Sequence, residues 1–522
     1  MSNFLTEVRL LSVPLENDYK HTLYFLNRND QTNYFLSKTA TLNGAPLVKT
    51  ECSYQRKDKI IRFPAHVDDL MKCNYVMYKN KSNKWYYAFI TRMDYKNDDL
   101  TEITIETDVM QTWLKGEDYV IKPSFIEREH VDSDIVGEHT TPEMLETGEF
   151  VCNSVSTDEQ LKDYAYIIQV TEKIPNEGQE DQPIYSTNFG GVWSAGGAYI
   201  VPYGQNVSDV VNLYTGGKKD AVFGVYLVPK KLIINDNEDW LYSGQAEPVK
   251  YNHSIGKPDK IGTFTPKNKK LLAFPYNYIL LSNNSGASNI LHYEHFDSVT
   301  CDFEIEGVPT VGGSVKCVPL KYKGVERMQE EGIMLGKFPV CSWSEDIYTN
   351  WLTQNAVNLG VGLASQGLQF VGGLAMLTNP LSAPAGASMM TSSALGVAQT
   401  MGQIYQMSFT PNSAQGNTNG GDINTCNKMN TFYFYKMSIK EEYARQIDGY
   451  FNMYGYKVNR VGVPIFGHRL NYWYTQTKSI NIDGAIPMED LQKIKLCYDT
   501  GITFWINPAN IGDYSVSNEI TG

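Results

Sequence analysis

Carboxylates spaced two apart are the arrangement in this sequence nearest to a hydrolytic pair. Glu127 with Glu129 and Asp132 with Asp134 lie in FIEREHVDSD (125–134), and an acid beside a base is what glycosidic hydrolysis requires. Residues two apart on a strand share a face, so each pair reads first as a solvated acidic edge. The eight histidines supply no H-E-x-x-H, and no G-x-S-x-G elbow accompanies them. His130 and His139 read as loop or packing histidines. The glycines of GGVWSAGG (190–197) lack the G-K-[ST] ending of a phosphate loop. Cys52, Cys73, Cys152, Cys301, Cys317, Cys341, Cys426 and Cys497 show no C-x-x-C spacing, which makes them scattered reduced thiols and not a zinc or redox motif. The expectation is no enzyme, no metal and no cofactor.

The unusual chemistry is a missing one. From 347 to 421 there is no Asp, Glu, Lys, Arg or His, although 20% of the chain is charged; chance does not leave a gap of roughly 75 residues at that frequency. Inside it stand two arms, 355–377 and 385–407, around TNPLSAP (378–384), whose two prolines make it the natural turn. Each arm of about 23 residues would span roughly 34 Å as helix, enough for a hydrocarbon core of about 30 Å. The apolar positions expected to do the work are Leu359, Val361, Leu363, Leu368, Phe370, Val371, Leu374, Met376, Leu377, Leu381, Met389, Met390, Leu395, Val397, Met401 and Ile404. Small residues such as Gly362, Gly367, Gly386 and Ala387 let helices approach closely, so packed hairpins are favoured over lone anchors. Without a charge to desolvate, such arms can exchange burial among sister copies for burial in lipid. An ordinary buried helical hairpin and a Gly/Ala/Ser-rich linker remain open, although a linker usually carries fewer Leu, Met and Phe.

The elements that must position this segment are mostly strands. KWYYAFITRMDY (84–95) and LTEITIETDVMQTW (100–113) flank Lys96, Asn97, Asp98 and Asp99 as a β-hairpin. In its second arm Ile103, Ile105, Thr107 and Val109 alternate with Glu102, Thr104, Glu106 and Asp108, the period that faces one set inward. Between 150 and 257 the text turns Gly-rich, with 188–204 and 214–220 loop-like, and reads as an inserted domain. Strand-like text resumes at 269–283, 298–307 and 314–322. One helix is expected over 438–456, where Ile439, Tyr443, Ile447 and Phe451 recur every four residues.

Bulk properties agree with this outline. A chain of 522 residues exceeds one ordinary core, so two or more domains are expected. Aromatics reach 12%, with Tyr 35 against Trp 8, which suits pleated surfaces. The net charge of −13 disfavours a dedicated DNA binder and suits a wall past which DNA slides without sticking. The N-terminus lacks a basic start followed by an apolar run, so no secretion signal is expected.

The two ends of the chain carry a resemblance. NDYKHTLYFLNRNDQTNYFLSK (17–38), the hairpin arms above and FIEREHV (125–131) resemble, in order, the tail knob proteins of small podoviruses that infect Gram-positive bacteria. So do EEYARQIDGYFNMYGYKVNRV (441–461), NYWYTQTKS (471–479) and GITFWINPANIGDYSVSNEI (501–520). The resemblance implies a mainly β protein with some α, whose β-barrel tube domains form a homohexameric ring at the distal end of a virion tail. It divides the chain into tube segments 1–148, 258–346 and 422–522, an inserted knob domain 149–257, and a hydrophobic loop at 347–421. It implies that the loop plugs the tube and then penetrates the host cytoplasmic membrane during ejection of double-stranded DNA. Partners would be sister subunits, other tail proteins, that membrane, the passing DNA and a cell-wall polymer, with assembly in the host cytoplasm. The middle, 150–257, is shorter than in the family and differs from it. The alternatives are a receptor-binding tail tip and a tail-associated cell-wall hydrolase.

Overall fold

Alternating β-branched and aromatic runs set the architecture, and strands are the prevailing element of this computed structural model. It describes residues 7–50, 59–79, 84–114, 119–170, 187–189, 192–194, 197–202, 222–233, 245–246, 249–307, 313–341 and 429–521. Two compact units emerge, one from 1–145 with 447–522 and the other from 146–446.

The first unit joins the chain ends. Its larger sheet orders the strands Val48–Thr50, Glu7–Leu11, Tyr75–Lys79, Trp85–Asn97, Leu100–Thr107 and Ile60–Phe63, antiparallel throughout. The expected hairpin is there, with Asn97 opposite Leu100, so Asp98 and Asp99 alone make the turn. Thr101, Ile103, Ile105 and Thr107 are buried, as a period of two requires. The alternation stops at Thr107, sooner than the expected Val109, because Asp108 ceases to be an outward strand residue. Its carboxylate accepts from Met110 N and Gln111 N at 3.0 Å each and caps the short helix Val109–Trp113. Such a cap satisfies backbone donors that a helix leaves bare.

A second sheet in this unit orders His21–Leu23, Ile502–Trp505, Tyr472–Lys478, Ser124–Glu129 and Tyr456–Gly462. It weaves residues from both ends of the sequence, and the core follows suit. Phe35, Tyr75, Tyr87 and Phe89 pack with Tyr472 and Trp505, and Val109, Met110 and Trp113 with Trp473, Tyr498 and Phe504. Aromatic pairs add directionality to this burial: Phe35 stacks on Tyr75 at 5.4 Å, and Trp473 on Phe504 at 5.8 Å.

The second unit holds the middle of the sequence. Asn277–Ser282, buried at every position, lies between Tyr433–Ile439 and Ser288–Leu291, with Phe150–Thr157 on the far side of Tyr433–Ile439. A second sheet orders Gly197–Pro202, Tyr164–Val170, Val222–Pro229 and Val340–Cys341, and a third is built on Val249–Gly256, Thr300–Gly307 and Val315–Tyr322. One cluster unites them through Ile167, Tyr226, Ile279, Leu281, Phe303 and Phe434. Strands from 258–341 and 433–439 thus share a core with strands from 149–257. The stretch expected to be loop at 188–204 carries the strands Thr187–Phe189, Val192–Ser194 and Gly197–Pro202. Its Val, Trp, Tyr and Ile residues have the strand preference that the neighbouring glycines obscured. The expected helix starts later and ends sooner, at Glu441–Tyr454; Ile439 belongs to the strand before it.

Candidate functional site

The segment without charges and every apolar position expected to act in it, 359–404, lie outside the described residues. What is described is the platform from which it leaves and to which it returns. On the leaving side Phe338 is buried in the second unit's core. Its N–H donates to the Gly313 carbonyl at 2.8 Å, and Leu227 N–H donates to the Pro339 carbonyl at 3.0 Å. Val340–Cys341 then pairs antiparallel with Val222–Pro229, Val340 opposite Tyr226 and Cys341 opposite Val225.

On the returning side Asn430 and Thr431 are buried ahead of Phe432 and Phe434, which enter the same core. Tyr164 donates its hydroxyl to the Asn430 carbonyl at 3.3 Å, and Thr431 donates to the Asp158 carbonyl at 2.6 Å. Asp158 N–H donates back to the Phe432 carbonyl at 3.3 Å. The Asp158 side chain accepts from Gln160 N and from the Tyr251 hydroxyl. Burial, with Asp158 as hydrogen-bond partner, holds the Tyr251 phenol above its ordinary range, so it stays a donor. Buried polar backbone needs partners of this kind, and their presence fixes both roots of the segment in one core. Sequence reasoning missed these roots. The available signal was TFYFYKMSI (431–439), a strand-like run soon after the charged residues return at Asp422.

The members of the acidic pairs meet different surroundings. A bulge between Ile126 and Arg128 resets the strand, and Glu129 is fully buried instead of lining a solvated edge. Its carboxylate accepts from Arg460 and from Ile465 N–H, and burial raises its pKa despite Arg460. The neighbouring Arg128 pairs with Glu143, both buried, and donates to the Gly455 carbonyl at 2.8 Å. Asp132 is exposed, whereas Asp134 accepts from the Tyr456 hydroxyl. His130 packs as expected: its Nδ1 accepts from Tyr474 N–H at 2.7 Å, which leaves Nε2 to donate to the Asn452 carbonyl at 3.1 Å. Burial pushes it down to about 3, so it is neutral. His139 lies against Tyr456 with Nε2 3.1 Å from the Ser133 carbonyl. Cys73, Cys152, Cys301, Cys317 and Cys497 are free thiols. Among the described residues no helix is long and apolar enough to cross a membrane.

Comparison with known proteins places this architecture. Residues 243–519 match the family model of the C-terminal domain of the Bacillus phage phi29 tail knob protein gp9, and residues 4–118 match that of the caudoviral major tail protein N-terminus. The tail knob proteins gp9 of Bacillus phages phi29 and PZA are each 27% identical to this chain, over 99% of it and 98% of the relative. The solved structure of the bacteriophage C1 tail knob protein gp12 shares the fold, with a TM-score of 0.69 at 14% identity over 99% of this chain and 100% of that one.

Proposed function

The chain belongs to the phage tail knob protein family, and on that premise we propose that it forms a ring-shaped conduit for DNA ejection whose uncharged segments plug the lumen and then penetrate the host cytoplasmic membrane. The observation that carries this reading is the run 347–421 without Asp, Glu, Lys, Arg or His, with two roots in one core. Fixed roots let the segment between them exchange environments while the carrier stays folded. The exchange is cheap only if no charge must be desolvated, since one charge at a bilayer centre costs about 3 kcal/mol or more.

The ring is a homohexamer at the distal end of the virion tail, assembled in the host cytoplasm beside other tail proteins, and the net charge of −13 keeps phosphates from adhering to its wall. It carries no enzymatic activity. The expected plug residues are those between 359 and 404 named above, and a cell-wall polymer is the partner expected for the 149–257 region.

Dye release from liposomes tests the proposal, with electron microscopy of the same preparation reporting rings. The intact chain should release dye after acid or mild denaturant triggers it. Deleting 355–407 should abolish release and leave the rings intact. Release that survives the deletion defeats the membrane role; rings that fall apart would make the arms subunit glue, as in a receptor-binding tip.

A further inference from the structure

At the edge of the second unit's core the chain leaves Ser288–Leu291 and makes a single 3-10 turn, Tyr293–His295. The turn is held from both sides. His292 N–H donates to the Tyr322 hydroxyl at 3.1 Å, Lys323 N–H donates to the His295 carbonyl at 2.8 Å, and Tyr293 and Phe296 are buried in the core. With those two rings committed inward, the donor atoms of His292, Glu294 and His295 gather within 4.8 Å of one another. The imidazoles stack at 4.8 Å, and the Phe274 ring backs His292 at 4.0 Å.

Protein groups alone leave this cluster short of partners. Among the described residues His295 Nδ1 is buried without a hydrogen-bond partner, an unfavourable state for a polar nitrogen in an ordinary turn. The Glu294 side chain is 3% exposed and accepts from Phe274 N–H at 3.2 Å. His292 Nδ1 stands 3.6 Å from Glu294 Oε1, too far for a hydrogen bond.

We propose that His292, Glu294 and His295 form a binding site for a divalent transition metal of the zinc or cobalt(II) class. Two imidazoles and a carboxylate suit such ions, whereas calcium and magnesium prefer oxygen alone. Bonds of about 2.1 Å bring tetrahedral ligands to about 3.4 Å of one another, so the three side chains close slightly around the ion while the turn keeps its backbone. Three protein ligands leave a position for water or for a group from outside. Lys323 is paired with Glu331 at 2.7 Å, and Lys257 donates to the Phe296 carbonyl at 2.7 Å; these neighbouring charges moderate the affinity without occupying the ligand atoms.

The full chain, stripped with EDTA, should take up one cobalt(II) ion when titrated with cobalt chloride and followed by its visible absorption. His292→Ala/His295→Ala should lose that uptake. Histidine modification by diethyl pyrocarbonate, mapped by mass spectrometry on the unaltered chain, keeps the test valid if the variant misfolds. Zinc chloride should slow labelling of His292 and His295 severalfold, because a ligated imidazole nitrogen has no free lone pair to attack the reagent, and leave His66 and His468 unchanged. No saturable uptake, uptake that persists in the folded double variant, or labelling of His292 and His295 that ignores zinc would each overturn the site.

Discussion

The two units stabilise themselves by different means. The first buries the ion pair of Arg128 with Glu143 and the carboxylate end of a second, Glu129 with the partly exposed Arg460, and ties them to backbone at Gly455, Lys457 and Ile465. The second rests on one large apolar cluster, while ion pairs such as Arg327 with Glu304 and Glu306 sit partly exposed. Burying a charge pair gains little net stability but penalises every arrangement that separates the partners. The first unit must bring together segments more than 300 residues apart in sequence, Arg128 and Gly455 among them, and long closures cost entropy before contacts repay it. Directional pairs specify that register. The second unit holds the roots of an apolar segment, and an apolar core tolerates variation there as long as volume is kept.

The largest expected effect falls on the seam between strand and helix in the first unit. Gly455 has φ +64°, and a Cβ there would stand 2.1 Å from the Glu129 carbonyl oxygen. Gly455→Ala therefore forces either the strand or the helix end out of place, at a cost of more than about 4 kcal/mol. Calorimetry should show the first unit's transition lost and the second's retained. Loss of both together would show that the two units fold as one and would break the comparison.

Arg128→Ala comes next. It strands the Glu143 carboxylate, a penalty of about 3–5 kcal/mol, whereas Arg128→Met with Glu143→Leu should recover most of it. In the second unit Phe434→Ala should cost about 3–5 kcal/mol by leaving a cavity, and Phe434→Leu much less. Urea melts of the four variants check this. Failure of the double replacement to recover would mean that the pair contributes stability as well as register.

The same contrast explains what the sequence disclosed. Strand Leu100–Thr107 and helix Glu441–Tyr454 were legible because their burial repeats every two or about four residues, as local geometry demands. Asp108 was not, because its role as a cap depends on two N–H groups beyond it and on the Tyr75 hydroxyl 33 positions earlier. Glu129 was misread for a related reason: a bulge turned the strand, and its partners Arg460 and Ile465 lie far along the chain. The uncharged run was plain from composition alone, since an absence needs no partner to be seen. Its roots at Phe338 and Phe432 were hidden, because burial there is decided by strands that sequence order does not place side by side. The cluster at His292, Glu294 and His295 has close sequence spacing, but only the inward turn of Tyr293 and Phe296 reveals that its donors converge.

The smallest effect concerns protons. Burial raises Asp108 from 3.8 to about 6, so the folded chain binds its proton more tightly than the unfolded chain does. Stability from this group therefore rises as pH falls from about 6 to about 4, by up to about 3 kcal/mol. His130 works in the opposite sense. Held down to about 3 from 6.5, it takes stability away as pH falls below about 6.5, because the unfolded chain then binds the proton first. The two slopes offset each other within the first unit. Asp108→Asn keeps a capping oxygen but removes the carboxyl that titrates. Urea melts of the variant should match the intact chain most closely near pH 7, to within about 1 kcal/mol. They should fall progressively below it towards pH 4, as the acid sensitivity from His130 loses its counterweight. Two curves that stay parallel across this range would mean that Asp108 titrates as an ordinary carboxyl, and the claim that the first unit manages buried charge at a cost would lose its clearest instance.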